Sequence, residues 1–284
     1  MPCQATFARC TSCVRIGTIC SAASAPRFGK GSVMLRAIDR GWRVFATGLA
    51  FATFGLGGVV LGGIGVPLLH LLVRDRGRRR TLARKAIHSG FRTFVGWMRL
   101  LGVLRYEVID QWRLQRRGLL VLANHPTLID VVFLISLIPN ADCVVRSGLF
   151  RNVFTGAMAR SADYLCNDSG PGLVENCIES LRAGNNLVMF PEGTRTRPGE
   201  PMTLQRGAAN VAVRGARNIT PVRIRCEPLT LTKGLAWWRV PPRRAHFTIR
   251  VEEDIAIAPF LIEGEEARSA RELTRLLHDY FETI

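Results

Sequence analysis

Over the last two-thirds of the chain, short apolar runs alternate with segments whose apolar positions recur every three or four residues. The runs lie near Leu119, Cys143, Leu187, Val222 and His246, and their length and the turn residues bounding them predict strands. The segments between them predict helices after Leu128, from Gly172 to Ala183, from Gly207 to Val213 and from Gly264 to the end. Strands alternating with helices predict an α/β domain, a single mixed sheet covered by helices.

A different pattern precedes this domain. From Val44 to Val73, thirty consecutive positions lack Asp, Glu, Lys and Arg. As a helix the segment extends about 45 Å against a hydrocarbon core of about 30 Å. One tilted membrane helix fits, and the glycines at 55, 57, 58, 62, 63 and 65 with Pro67 also allow a kinked or re-entrant helical hairpin. Gly58 and Gly62 permit close helix contact, although space filling is the simpler role. No small-residue cleavage site follows a short apolar region, so the segment reads as an anchor and not a signal peptide. From Arg84 to Leu101, Phe91, Phe94, Trp97, Met98 and Leu101 recur at helical spacing with Lys85, Arg92 and Arg99 between them. This is an amphipathic helix, at a membrane interface or packed on its own domain. Residues 1–33 show neither period and are expected to be a disordered tail, with Met34 an alternative start; 34–83 form the anchor segment with its basic flank, and 84–284 the folded domain.

The net charge of +17 and pI near 10.9 call for an anionic partner: membrane lipid, nucleic acid, coenzyme A or an acidic carrier protein. Nucleic acid is set aside, because no zinc-finger, homeodomain or RNA-binding signature occurs and the basic residues crowd beside the apolar segment. Arg74, Arg76, Arg78, Arg79 and Arg80 follow it directly; eight Lys or Arg fall in the twenty residues after it and five in the seventeen before. That bias places the C-terminal part on the cytoplasmic side of the inner membrane. Of the 39 basic residues 36 are arginine, a skew ascribed to genomic base composition. The pair Cys10 and Cys13, with Cys3 and Cys20 nearby, lacks a second pair or histidines for zinc, so no metal is expected. Cys143, Cys166, Cys177 and Cys226 read as small core residues in a reducing compartment.

Candidate chemistry sits where apolar strands end. After Leu119 to Ala123 comes Asn124-His125-Pro126-Thr127-Leu128-Ile129-Asp130; Pro126 discourages helix at His125, and a helix opening at Thr127 puts Asp130 in its first turn, able to reach back to the imidazole. The chain holds a control, His70 and Asp75 at the same spacing, on a predicted helix that points residues five apart about 140° away from each other. His125 and Asp130 suit a base and its orienting carboxylate. No Gly-x-Ser-x-Gly elbow occurs, so the base would activate a substrate hydroxyl. After Leu187 to Met189, the block Phe190-Pro191-Glu192-Gly193-Thr194-Arg195 predicts a tight turn with exposed amides and a guanidinium fork for phosphate or carboxylate, with Arg197 and Arg206 adding positive field. The bland alternatives are an ordinary histidine and a surface Glu192–Arg195 pair.

Residues Asn124 to Asp130 and Phe190 to Arg195 resemble, in order, the first and third signature blocks of the glycerolipid acyltransferase family, typified by 1-acyl-glycerol-3-phosphate acyltransferases. Thr220-Pro221-Val222-Arg223-Ile224 resembles its fourth block, a strand lining the acyl side of the site. The resemblance covers roughly residues 84 to 260. It implies a membrane-bound O-acyltransferase that moves an acyl group from coenzyme A or an acyl carrier protein to a lysophospholipid hydroxyl, without a further cofactor. His125 would be the base and Asp130 its partner; Asn124, Glu192, Gly193, Thr194, Arg195, Arg206 and Pro221 would bind substrate, Arg195 on a phosphate. The second block departs from the family: Ala162-Asp163-Tyr164-Leu165-Cys166-Asn167-Asp168 lacks its closing arginine, and an acidic Asp168 beside a phosphate would repel it. Arg160 is the substitute at hand. The departure leaves another lipid or polyene alcohol as acceptor; a thioester or ester hydrolase on the same base and a non-catalytic membrane scaffold are the other classes. Trp237 and Trp238, with Arg239, Arg243 and Arg244, either rest on the bilayer or pack in the core.

Overall fold

A computed structural model of the chain describes residues 30–283 apart from 169 and 171. Residues 1–29, with Cys3, Cys10, Cys13, Cys20 and most of the expected disordered tail, lie outside the described residues, and a helix is already formed at Lys30. By its contacts the chain divides into Met1–Ile38 and a compact unit Asp39–Ile284. In the second unit the apolar segment belongs with the sheet.

In chain order the helices are α1 (Lys30–Val60), α2 (Val66–Leu72), α3 (Arg76–Leu100), α4 (Asp130–Leu137), α5 (Ser147–Arg151), α6 (Gly156–Ser161), α7 (Gly172–Arg182), α8 (Gly207–Arg214) and α9 (Glu266–Glu282). The strands are β1 (Leu104–Ile109), β2 (Leu120–Ala123), β3 (Ala141–Val145), β4 (Leu165–Cys166), β5 (Asn186–Met189), β6 (Ile219–Glu227) and β7 (Ala245–Val251). They form one mixed sheet in the order β1-β7-β6-β2-β5-β3-β4, parallel throughout except for the antiparallel β6–β7 pair. The five expected strands are all present. β1 escapes a search for apolar runs because Arg105 and Glu107 alternate with apolar residues, as suits an edge strand, and β4 is two residues long.

β2 is central and buried on both sides. Val121 and Ala123 enter the core under α3 and α4, while Leu120 and Leu122 enter the one beneath α7, α8 and α9. Cys143, Cys177 and Cys226 fill core space, and burial pushes the Cys177 and Cys226 thiols up to about 12, so they stay protonated; Cys166 is half-buried on β4.

The apolar segment is a continuous rod of α1, a π turn (Leu61–Gly65) and α2, not a re-entrant hairpin. Residues Ala37–Leu72 are long and apolar enough to cross a membrane, and 17% of the most apolar window is buried. The π turn ends two residues before Pro67, whose ring would clash with a carbonyl one turn back in a regular helix. The chain reverses only at Val73–Asp75, where Asp75 accepts a hydrogen bond from Arg78 N at 2.6 Å and caps α3. Asp75 therefore lies beyond the helix that carries His70, and the two do not meet. α3 runs back along the rod: the Phe54 ring packs tilted against Phe91 and Phe94, with centroids 5.9 and 5.0 Å away, and Trp42 Nε1 donates to Leu101 O at 3.0 Å. Its inner face buries Ala83, Ile87, Val95 and Met98, so this amphipathic helix packs on its own domain. Arg84, on the same face, pairs with buried Asp142 at 2.8 Å.

Gly58 does more than fill space. A Cβ there would stand 2.1 Å from the carbonyl oxygen of Phe154, whereas one at Gly57 or Gly63 would meet nothing within 4 Å. Gly58→Ala is expected to lower stability by about 1–3 kcal/mol as the Phe154 segment is displaced. Gly57→Ala is expected to be neutral or to stabilise by up to about 1 kcal/mol through helix propensity. Thermal unfolding in detergent micelles checks both, and equal effects at the two positions would sink the close-approach assignment.

Candidate active site

Parallel strands present their C-terminal ends at one edge, and five of them open into loops there. His125 follows β2, Arg146 follows β3, Asn167 follows β4, the Phe190–Arg195 block follows β5, and the loop holding Lys233 follows β6. All five loops reach one cavity of about 910 Å³. Its deeper walls are apolar, with Phe54, Phe91, Met98, Ile129, Val132 and Met158 among them. That volume lies within the roughly 300–1,000 Å³ of small-molecule sites.

At the mouth, His125 Nδ1 lies 2.9 Å from Asp130 Oδ2. Asp130 is fully buried, and it also accepts hydrogen bonds from Thr127 N at 2.6 Å and from the Thr127 hydroxyl. Burial pushes its carboxyl above the ordinary carboxylate range, while the bonds from His125 and Thr127 pull the other way. The helix opens at Asp130 and not at Thr127; Thr127 to Ile129 form a turn folded back by that carboxylate. With Nδ1 given to Asp130, Nε2 is the ring nitrogen left to exchange a proton. Phe190 stacks on the imidazole, with centroids 4.2 Å apart, and fixes its plane.

Two residues expected on substrate are instead turned inward. Glu192 is buried; one oxygen accepts from His125 N at 2.7 Å and the other from Thr196 N at 3.1 Å and from the Thr196 hydroxyl. It does not pair with Arg195. The Asn124 amide donates to Ile224 O at 2.8 Å and accepts from Ile224 N at 2.7 Å, extending the β2–β6 ladder by a side chain. Both therefore position His125. The Gly193 amide is likewise spent, on Phe190 O at 2.9 Å, and is not an exposed anion donor.

Gly193, Thr194 and Arg195 do line the cavity. Arg195 Nη1 donates to Leu231 O at 3.2 Å, and burial pulls its guanidinium below its ordinary value. Arg146, which belongs to none of the signature blocks, lines the cavity and donates to Gly193 O at 3.1 Å. Arg206 is exposed at the start of α8, and Arg197 pairs with Glu200 at 3.3 Å, so neither faces the cavity. Pro221 is buried inside β6, its carbonyl accepting from Glu252 N at 2.9 Å; the fourth block serves the site through the Ile224 backbone, not through a lining proline. In the second block Asn167 lines the cavity, whereas Asp168 faces a separate groove with Arg80, Arg151 and Arg160. Asp168 is thus no source of repulsion in the cavity, and Arg160 is no substitute there; it donates to Phe150 O.

Residues 105–225 match the family model described as Acyltransferase. The chain is 26% identical over 107 residues to the chloroplastic 1-acyl-sn-glycerol-3-phosphate acyltransferase of Arabidopsis thaliana, covering 36% of this chain and 30% of that protein. It is 28% identical over 109 residues to the 1-acyl-sn-glycerol-3-phosphate acyltransferase of Bacillus subtilis, covering 37% and 54%. The matches thus span between about a third and about half of these relatives' own length. The crystal structure of the 1-acyl-sn-glycerophosphate acyltransferase of Thermotoga maritima superimposes with a TM-score of 0.64 over 88% of this chain and 98% of that one, at 19% identity, a likeness of fold.

Asn124→Ala is expected to lower unfolding stability by about 1–3 kcal/mol, because it leaves the Ile224 N–H and C=O buried without partners. Arg206→Ala is expected to stay within about 0.5 kcal/mol. Denaturant unfolding monitored by tryptophan fluorescence checks the pair; a neutral Asn124→Ala would remove its positioning role.

Proposed function

We propose that the chain acts as a glycerolipid acyltransferase, on the strength of the Acyltransferase match over residues 105–225, and that it transfers an acyl group from a thioester of coenzyme A or an acyl carrier protein to the hydroxyl of a lysophospholipid of the 1-acyl-glycerol-3-phosphate type. The observation that carries this reading is the His125–Asp130 pair at the mouth of an apolar cavity whose rim holds Arg195. The acyl chain occupies the apolar depth, bringing its thioester carbonyl to the imidazole. His125 Nε2 takes the proton of the acceptor hydroxyl as that oxygen bonds to the carbonyl carbon. The tetrahedral adduct then collapses with cleavage of the carbon–sulfur bond, and the imidazolium returns its proton to the thiolate. Asp130 holds the tautomer and steadies the imidazolium between the two transfers. Arg195 grips a phosphate on the acceptor.

The exposed flank of the rod, with Leu56, Val60, Ile64, Leu68, Leu71 and Leu72, supports placement of this site at a membrane. A lipid substrate would then enter the cavity from the bilayer. The basic run after the rod favours the cytoplasmic side. Asn167 in place of an arginine favours a second acceptor class, a lipid alcohol without phosphate.

The test is solubilised protein with a labelled acyl thioester and a panel of lysophospholipids and lipid alcohols. His125→Ala is expected to lose about 10²- to 10⁴-fold in turnover, and Asp130→Asn to lower kcat more than it alters acceptor KM. Arg195→Ala is expected mainly to raise the acceptor KM, by about 10-fold or more. Release of free acid without acceptor would mark a hydrolase instead, and product formation indifferent to His125→Ala would end the catalytic reading.

A further inference from the structure

The connection from β6 to β7 belongs to no signature block, yet it is built into the cavity mouth. Its Leu231 has φ 51°, a left-handed conformation, and its carbonyl accepts from Leu128 N at 3.0 Å and from Arg195 Nη1 at 3.2 Å. One carbonyl thus ties the connection to the histidine loop and to the arginine of the third block. Leu231 and Thr232 are buried. Farther on, Trp237 packs on Phe51 at 6.0 Å, and the buried Arg43 of α1 donates to Pro241 O and Pro242 O at 2.6 and 3.1 Å. Fixed on both sides, the connection projects Lys233 into the wall of the cavity that also holds His125, Arg146 and Arg195.

Lys233 is one of three lysines in a chain with 36 arginines. Among the described residues it makes no hydrogen bond or ion pair, and the hydrogen-bond partners of Arg146 and Arg195 are neutral carbonyls. Three cations therefore line one cavity, none of them ion-paired to a carboxylate. Like charges gathered against apolar walls repel one another, and an anionic ligand relieves that repulsion. An ammonium is a compact donor suited to a phosphate oxygen, complementing the planar forks of the two arginines.

We propose that Lys233 is a substrate-binding residue of this site, which with Arg146 and Arg195 holds a substrate phosphate ester in the cavity where the second block offers only Asn167. The inference rests on the acyl-transfer reading and deepens it. The phosphate comes from the lysophospholipid acceptor or from the donor, whose coenzyme A carries phosphate as well.

The test compares wild type, Lys233→Gln and Lys233→Arg in detergent micelles. Acceptors are 1-acyl-glycerol-3-phosphate and the phosphate-free monoacylglycerol; donors are acyl-coenzyme A and the phosphate-free acyl-pantetheine. Binding of 1-acyl-glycerol-3-phosphate and of acyl-coenzyme A is measured separately by calorimetry without turnover. Lys233→Gln is expected to raise KM and Kd about 10- to 100-fold for one phosphate-bearing substrate, with kcat within about threefold and the phosphate-free counterpart unaffected. Lys233→Arg is expected to restore most of the loss. An effect confined to the acceptor identifies its headgroup, and one confined to acyl-coenzyme A identifies the donor. Unchanged KM and Kd for both phosphate-bearing substrates, or equal losses with phosphate-free ones, would overturn the proposal. Lys233-dependent binding of 1-acyl-glycerol-3-phosphate by a wild-type protein that transfers no acyl group would instead fell the reaction reading and leave the phosphate site standing.

Discussion

The carboxylate of Glu192 joins the loop after β2 to the loop after β5, and the geometry of the cavity mouth depends on that tie. One oxygen fixes the backbone at His125 and the other fixes the turn at Thr196. Since His125 is thereby held against Phe190, the imidazole has a fixed plane as well as a fixed tautomer. A buried carboxylate tolerates this position only because each oxygen receives a hydrogen bond. The Asn124 amide makes the matching connection to β6, so the histidine loop is anchored to both strands that flank β2.

Around that anchor, polarity is sharply divided. Asp130 balances the imidazole from within the protein, and cations without ion-paired carboxylates occupy the rim. Both acidic side chains of the second block, Asp163 and Asp168, line a groove of their own together with Arg80, Arg151 and Arg160. Such a division suits a reaction that moves a proton at one point while holding a polyanion a short distance away. The apolar depth is closed partly by the rod and α3, through Phe54, Phe91 and Phe94, so the rod that exposes an apolar flank on one side forms part of the cavity wall on the other.

Much of this was legible in the chain. Five strands follow from short apolar runs, α4 and α7 to α9 from their period and punctuation, and the pairing of His125 with Asp130 from a proline-broken strand end. The edge strand β1 was hidden by Arg105 and Glu107, because an edge strand buries one face and needs no continuous apolar run. Gly58 read as filler, because nothing local announces that the Phe154 carbonyl will lie against it. Arg146 carried one usable signal, a charged residue directly behind a buried strand. That signal acquires meaning only when β3 is known to lie parallel to β5 and beside it.

By itself, then, the sequence determined which segments are buried, where strands end, and that a base, a carboxylate and an arginine stand just beyond those ends. Burial and backbone preference are set by neighbours within a few residues. The tertiary structure alone decided which side chains far apart in the chain meet. Glu192 and Asn124 turn inward because their partners, His125 N and the Ile224 backbone, lie 67 and 100 residues away in the chain and next to them in space. Lys233 reaches the cavity because one carbonyl, at Leu231, is claimed at once by Leu128 and Arg195. A polar side chain points to whichever partner satisfies it, and that partner is supplied by the order of strands in the sheet.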